Sequence, residues 1–259
     1  MLKRFAFWTA ILVCFVALTP LNMIYAQELD KFLVAYWPFD EDGGNEVIDA
    51  TDNGNNGTIV GASWVEGKFE SALEFNGVDN HVLIPDSDSL DLTAEMTISF
   101  WVKFNDLPQG VWKNPLRKEG SYVLEITGQN QVQMNTWAGG NWAAGQAFGG
   151  PNLQTKTWYF LAGTKLPEAG LEAYLDSKRI AEGDKVGDID ITANRLFIGS
   201  GAAGWLPMSG IVDEVKIFNK ALTGDEIKKV MKESGGIIGV KPQSKIAATW
   251  GSIKIEYAW

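Results

Sequence analysis

From Phe32 to Phe218 the chain runs in short apolar or alternating stretches separated by Gly, Asn, Asp and Pro. That punctuation predicts antiparallel strands closed into a sandwich or barrel. Candidate strands are FLVAYWPF, GTIVGASWV, ALEFNG, HVLIPD, MTISFWVKF, SYVLEIT, QVQMNTWA, TWYFLAGTKL, LEAYLDSKRIAE, RLFIGS and SGIVDEVKIF. In MTISFWVKF the period of two puts Ile98, Phe100, Val102 and Phe104 on one face and Thr97, Ser99, Trp101 and Lys103 on the other. LEAYLDSKRIAE predicts a hairpin turning at Asp176 to Lys178, with Leu171, Ala173 and Leu175 inward. In SGIVDEVKIF strict alternation sets Ile211, Asp213, Val215 and Ile217 on one face, so an acid occupies an apolar phase. One helix is expected after the strands: Thr223 and Glu226 have capping-box spacing, lysines gather towards its end, and Gly235 and Gly236 stop it.

Composition bounds the size of the fold. The 259 residues are 46% hydrophobic and 21% charged, which suits one large domain or two small ones. The first residues read differently: Lys3 and Arg4 precede an apolar run that Pro20 cuts short, and a small residue follows at Ala26. Residues 1–26 are thus expected to be a signal peptide, giving a secreted or cell-surface protein with no stable membrane span after its removal, since a span needs roughly 20 apolar residues. Cys14, the only cysteine, lies in that segment, so the mature chain has no disulfide. The net charge of −10 becomes more negative still without Lys3 and Arg4. Such a surface disfavours nucleic acid and favours cations. Residues 27–233 are expected to form the domain. Residues 234–259 are expected to be a separate tail, whose alternating end suits an edge strand or a docking segment, or a partly ordered terminus.

The series LVAYWPFDEDGG, DNGNNGTI, ALEFNGVDNHVLIPDSDSLDL, MTISFWVKF, TWYFLAGT, LEAYLDSKRIAEG and SGIVDEVKIFNKALTGDEI resembles the laminin G-like domains of the concanavalin A-like lectin and glucanase superfamily, in order, over roughly Leu33 to Met231. The resemblance implies an all-β, two-sheet antiparallel jelly-roll sandwich with one short C-terminal helix. It also implies binding of glycans or proteins outside the cell, often with a structural calcium ion; glycoside hydrolases share the superfamily, and fold does not choose between them.

Chemistry narrows the choice. Catalytic triads and metallohydrolases commonly use His or Cys, and the mature chain has only His81, expected at a surface or strand end. The remaining enzyme class is a carboxylate-pair glycosidase. The alternating Glu, Asp, Glu of the laminarinase-like relatives is missing. Glu172 and Asp176 stand about 13 Å apart by strand rise, too far for paired acids. GSGAAG (Gly199 to Gly204) leads to another strand rather than a helix, so it is not a phosphate loop. Asn56-Gly57-Thr58 fits a glycosylation sequon. No catalytic residue is therefore expected.

Binding is better supported. Between Tyr36 and Trp64 lie Asp40, Glu41, Asp42, Asp49, Asp52, Asn53, Asn55 and Asn56, hard oxygen donors of the kind calcium takes. EF-hand spacing fails, because the twelfth place from Asp49 is Val60, and from Asp40 the turn position is Asn45. A site must then be assembled from remote segments. The inward phase of Asp213, together with the family's pairing of its first and last strands near calcium, makes Asp40, Asn56 and Asp213 the expected ligands. The opposing reading is that Asp213 only accepts backbone hydrogen bonds. For a glycan, Trp137 and Trp142 stand in a Gly- and Asn-rich segment expected to be a loop, and Trp205 and Trp112 in similar settings. Exposed rings stack on pyranose faces while amides meet hydroxyls. Arg117 and Lys118 are candidate donors, and Trp64, Trp101 and Trp158 are expected in the core. The leading expectation is a non-catalytic module binding carbohydrate or an extracellular protein with structural calcium. A surface adhesion or assembly protein, and a polysaccharide hydrolase or lyase, are the alternatives.

Overall fold

A computed structural model describes residues 29–142 and 145–232, so the expected signal segment and tail lie outside the described residues. The strands are β1 (Leu33–Trp37), β2 (Glu46–Val47), β3 (Gly57–Val60), β4 (Ser63–Glu66), β5 (Ser71–Asn76), β6 (His81–Ile84), β7 (Met96–Phe104), β8 (Lys113–Lys118) and β9 (Tyr122–Ile126). They continue as β10 (Val132–Ala138), β11 (Asn141–Trp142), β12 (Ala147–Gly149), β13 (Trp158–Lys165), β14 (Leu171–Leu175), β15 (Lys178–Glu182), β16 (Leu196–Ile198) and β17 (Ser209–Phe218), before helix α1 (Gly224–Lys232). Among the described residues, sheet one runs β15-β14-β13-β7-β17-β5-β4 with β1 also on β17, and sheet two runs β11-β10-β9-β8-β16-β6-β3-β2 with β12 on β10. The named strand pairs are antiparallel. This is the two-sheet antiparallel sandwich that the alternation predicts, with the short C-terminal helix that the capping box predicts.

The inner faces supply the main core. Ile98, Phe100, Val102 and Phe104 of β7 pack with Leu116 of β8, Leu124 of β9 and Met134 of β10, and Trp37 and Phe39 are fully enclosed. Each such apolar side chain contributes about 1.5–3 kcal/mol on burial. Trp37 is thus the central core tryptophan, whereas Trp64, Trp101 and Trp158 are only half-buried.

The outer face of sheet one carries a second apolar cluster. Tyr36, Phe160, Tyr174 and Phe218 pack with Leu29 and Leu33 and with Leu222, Ile227 and Val230 around α1. The expected capping box holds the helix start: Glu226 N–H donates to Thr223 Oγ1 at 3.3 Å, and Thr223 N–H to Glu226 Oε2 at 2.9 Å. The predicted hairpin turns through Asp176 and Ser177, both at positive φ, as a two-residue turn requires.

One strand departs from its predicted alternation. In β17 the register against β7 shifts between Asp213 and Lys216, and Glu214 takes φ 56°. This is a β-bulge, which inserts one residue and reverses the phase beyond it. Val212, Val215 and Ile217 therefore face the core. Asp213 pairs with Trp101 on the outer face, not on the core face with Val215 as strict alternation predicts.

Candidate functional site

The bulge lies where β17 changes neighbours. Its first half pairs with β5 and its second half with β1. Chain leaving β1 through Phe39 and Asp40, and the turn Gly67 to Glu70 entering β5, meet at the gap. Asp213 is fully buried there; its Oδ2 accepts from Lys68 N–H at 2.8 Å and Phe69 N–H at 3.0 Å. Its Oδ1 is buried without a hydrogen bond among the described residues. Burial pushes the carboxyl up to about 8, with Glu214 and Asp40 adding to the rise and the two amides opposing it. Gly67 is needed beside it: a Cβ would lie 2.7 Å from Asp213 Oδ2, 2.6 Å from Phe69 O and 2.7 Å from Ser71 O. Carboxylate and carbonyl oxygens thus converge on a residue without a side chain.

Around this corner the charges are interlocked. Glu214 and Lys216 are buried and paired, and Tyr36 Oη donates to Glu214 at 3.0 Å beneath the Lys216 ammonium, 4.2 Å from the ring centroid. Burial first, then Glu214, pushes the Tyr36 hydroxyl far above the ordinary phenol range, and Asp40 and Asp213 contribute. The structure therefore brings Asp40 and Asp213 into one electrostatic neighbourhood. Asn56 goes elsewhere: its Oδ1 accepts from Asp49 N–H at 2.9 Å.

Asp49 is the residue around which the Asn-Gly loop is built. Its carboxylate, 5% exposed, accepts from Tyr36 N–H, Thr51 N–H, the Thr51 hydroxyl, Asn55 N–H and the Asn55 side chain at 2.9–3.0 Å. Such a saturated carboxylate has few lone pairs left for a metal. Four of these bonds come from Thr51 and Asn55 in its own loop and one from Tyr36 of β1.

The tryptophan candidates lie on the outer face of sheet two. Trp137 and Trp142 stand opposite each other on the β10–β11 hairpin, not in a loop, because Gly139 and Gly140 at φ 64° and 79° make a two-residue turn. Their rings meet edge to face at 5.0 Å. Asp190 clamps the turn, accepting from Gly139 N–H at 2.9 Å and Gly140 N–H at 2.7 Å, and its own N–H donates to Trp137 O at 2.9 Å. Trp205 comes from the turn after β16, close over Gly201, where a Cβ would lie 2.5 Å from the indole. Trp112 is exposed at the start of β8.

Arg117 joins these rings. Its guanidinium carbon is 4.4 Å from the Trp205 centroid and 5.0 Å from that of Trp142, within cation–π range of both. The side chain is 7% exposed, and its buried Nε donates no hydrogen bond among the described residues. Burial pulls the guanidinium below its ordinary value, against Glu125 and Glu119. Glu125, which the sequence does not single out, accepts from Asn114 Nδ2 at 2.6 Å; burial raises its carboxyl to about 7, with Asn114 and Arg117 opposing. Lys118 differs from the surface donor expected: it is fully buried, pairs with Asp86 and donates to Thr192 O and Asn194 O at 2.9 Å. It pins the segment opposite the hairpin. His81 is a strand-end residue but buried, its ring 5.6 Å from Phe197. Between the hairpin and the pinned segment opens a cleft of about 480 Å³, walled by Arg117, Trp137, Glu119, Asp190, Thr192 and Asn194.

A family model described as the concanavalin A-like lectin/glucanases superfamily matches residues 76–228, more than half of the chain. No curated protein matches the chain by sequence. Among solved structures, the binding domain of Paraclostridial mosquitocidal protein 1 superposes with a TM-score of 0.66 at 14% identity, over 78% of this chain and 52% of that one. Domain 4 of AbnA, an extracellular arabinanase from Geobacillus stearothermophilus, in complex with arabinotriose, gives 0.61 at 21% identity, over 78% of this chain and 98% of that domain. A structure of botulinum neurotoxin type C, whose cell entry depends on interaction with two ganglioside molecules, gives 0.60 at 12%, over 79% and 52%. The chain spans about half the length of the mosquitocidal and botulinum chains. At these identities the likeness is one of fold.

Proposed function

The chain belongs to the concanavalin A-like lectin/glucanase superfamily, and from that premise we propose that it is an exported, non-catalytic module that binds carbohydrate on the outer face of sheet two. The observation that carries the reading is the assembly of Trp137, Trp142, Arg117 and Trp205 beside the cleft. Trp137 offers an aromatic wall, Asp190 and Asn194 offer oxygens to hydroxyls, and the clamp on Gly139 and Gly140 fixes the hairpin before a ligand arrives. The arabinotriose of the AbnA domain and the gangliosides of the botulinum protein support a sugar as the ligand class. The signal reading of residues 1–26 supports export, with residues 27–233 as the binding domain.

A glycan array probed with the mature chain tests this, alongside Trp137→Ala checked for an unchanged melting temperature. Binding to at least one glycan, weakened about tenfold or more by the substitution and without release of reducing sugar, is the expected result. An array on which nothing binds overturns it.

A structural calcium ion forms the second part of the proposal. Hard oxygens, a buried Asp213 Oδ1 without a hydrogen bond and the like charge of Asp40 nearby fit a divalent cation, with Phe69 and Ser71 carbonyls on the same corner. Among the described residues no group of three or more His, Cys, Asp or Glu is set to hold a metal, so the set would be Asp40 and Asp213 with main-chain oxygens. When bound, calcium would supply charge compensation that ties the end of β1 to β5 and β17. The melting temperature is expected to rise by several degrees between excess chelator and millimolar calcium. An equal value in both removes the metal.

A further inference from the structure

Resting on the carbohydrate reading, we infer that the cleft beside Trp137 selects a neutral, hydroxyl-rich glycan and rejects sugars that carry a carboxylate. The polar groups of the cleft carry this inference. Its walls contain one cationic side chain, Arg117, and two acidic ones, Glu119 and Asp190. The guanidinium lies over the rings of both Trp142 and Trp205, and its charge is already shared with Glu125 and Glu119. Arg117 is therefore not an uncompensated positive patch in the cleft wall.

The remaining polar groups accept more than they donate. Asn194 Nδ2 donates to Glu119 O at 3.1 Å and the Thr192 hydroxyl to the same carbonyl at 3.0 Å, so each spends a donor within the fold and keeps acceptor capacity. Glu119 is exposed and lines the cleft. A sugar hydroxyl can donate to such oxygens and accept from the Arg117 guanidinium that lines the same cleft. A uronate or sialate carboxylate has no proton to give and meets like charge from Glu119 and Asp190, which costs affinity. Trp137 and the exposed Ile191 complete an apolar wall and rim for the C–H faces of a sugar ring.

Titration calorimetry against neutral arabino-, xylo- and gluco-oligosaccharides, and against uronate and sialylated oligosaccharides of similar length, tests the inference. Neutral ligands are expected to bind at least about tenfold more tightly, with little dependence on salt. Equal or tighter binding of the acidic set overturns the inference and leaves carbohydrate binding standing. Binding of neither set overturns both. Glu119→Lys, at an exposed turn position that should not disturb folding, is expected to narrow the preference several-fold by strengthening acidic ligands. An unaltered ratio in that variant also counts against the inference.

Discussion

The two outer faces of the sandwich are used in opposite ways. On sheet one, Tyr36, Tyr174 and Phe218 are covered by α1 and the segment around Leu29, and the charges beneath are locked together: Glu214 is 2% exposed and Lys216 1%. On sheet two, charged and aromatic groups reach an open cleft, with Trp205 at 48% exposure and Trp137 half-buried. The difference teaches where to look for each property. Polar groups under a lid of apolar residues hold the fold, while those held rigid beside open space are available to a ligand. Substitutions on the first face should move stability, and substitutions on the second should move binding.

The largest effect is expected at Lys216. Lys216→Ala leaves Glu214 buried without its cation, close to Asp213, and should cost about 3–5 kcal/mol in urea unfolding. The double variant Glu214→Gln with Lys216→Met should recover most of that loss, because it removes the charge together with its partner. A single substitution costing under about 1 kcal/mol would erase the contrast between the faces.

Glu125 sharpens the comparison because it is the buried carboxyl on the open face. Its pKa is raised from the ordinary 4.5 to about 7, so the folded state holds the proton more tightly than the unfolded chain. Relative stability from this group is therefore fully present below pH 4.5 and lost as pH rises through about 7. Its size is on the order of 3 kcal/mol at one pKa unit per 1.36 kcal/mol. Glu125→Gln should track the parent below pH 4.5 and gain on it by that amount at pH 8. A constant difference between the two across that range would place the strain elsewhere.

Sequence legibility follows the same division. Alternation in MTISFWVKF, the hairpin at Asp176 and the capping box at Thr223 were all readable, because each is set by neighbours in the chain. Asp213 was readable as an acid needing compensation but was assigned the wrong face, since V-D-E-V-K alternates as well with a bulge as without one and the bulge arises from β17 exchanging β5 for β1. Lys118 was indistinguishable from an exposed lysine, because its partner Asp86 lies 32 residues away, whereas the Asp49 hub, built mainly on Thr51 and Asn55, is a local turn that the acidic crowd around it obscures. Trp137 and Trp142 were legible as a pair of rings in a polar segment. That Arg117 lies between Trp142 and Trp205 depends on strand order in sheet two, which no local pattern encodes.

The smallest effect, and the one that divides the open face itself, is expected at Trp205. Its ring touches Arg117 but is not among the residues walling the cleft, whereas Trp137 is. Trp205→Ala removes an exposed ring, so unfolding free energy should change by no more than about 1 kcal/mol. Binding should weaken only about two- to fivefold, through an Arg117 side chain held by one ring instead of two, since an exposed cation–π contact is worth about 0.5–1 kcal/mol. Trp205→Phe should restore most of it by returning an aromatic face. If Trp205→Ala abolished binding as completely as Trp137→Ala, the ligand would have to extend over the Arg117 stack, and the binding surface would be the whole tryptophan–arginine row rather than the cleft at its end.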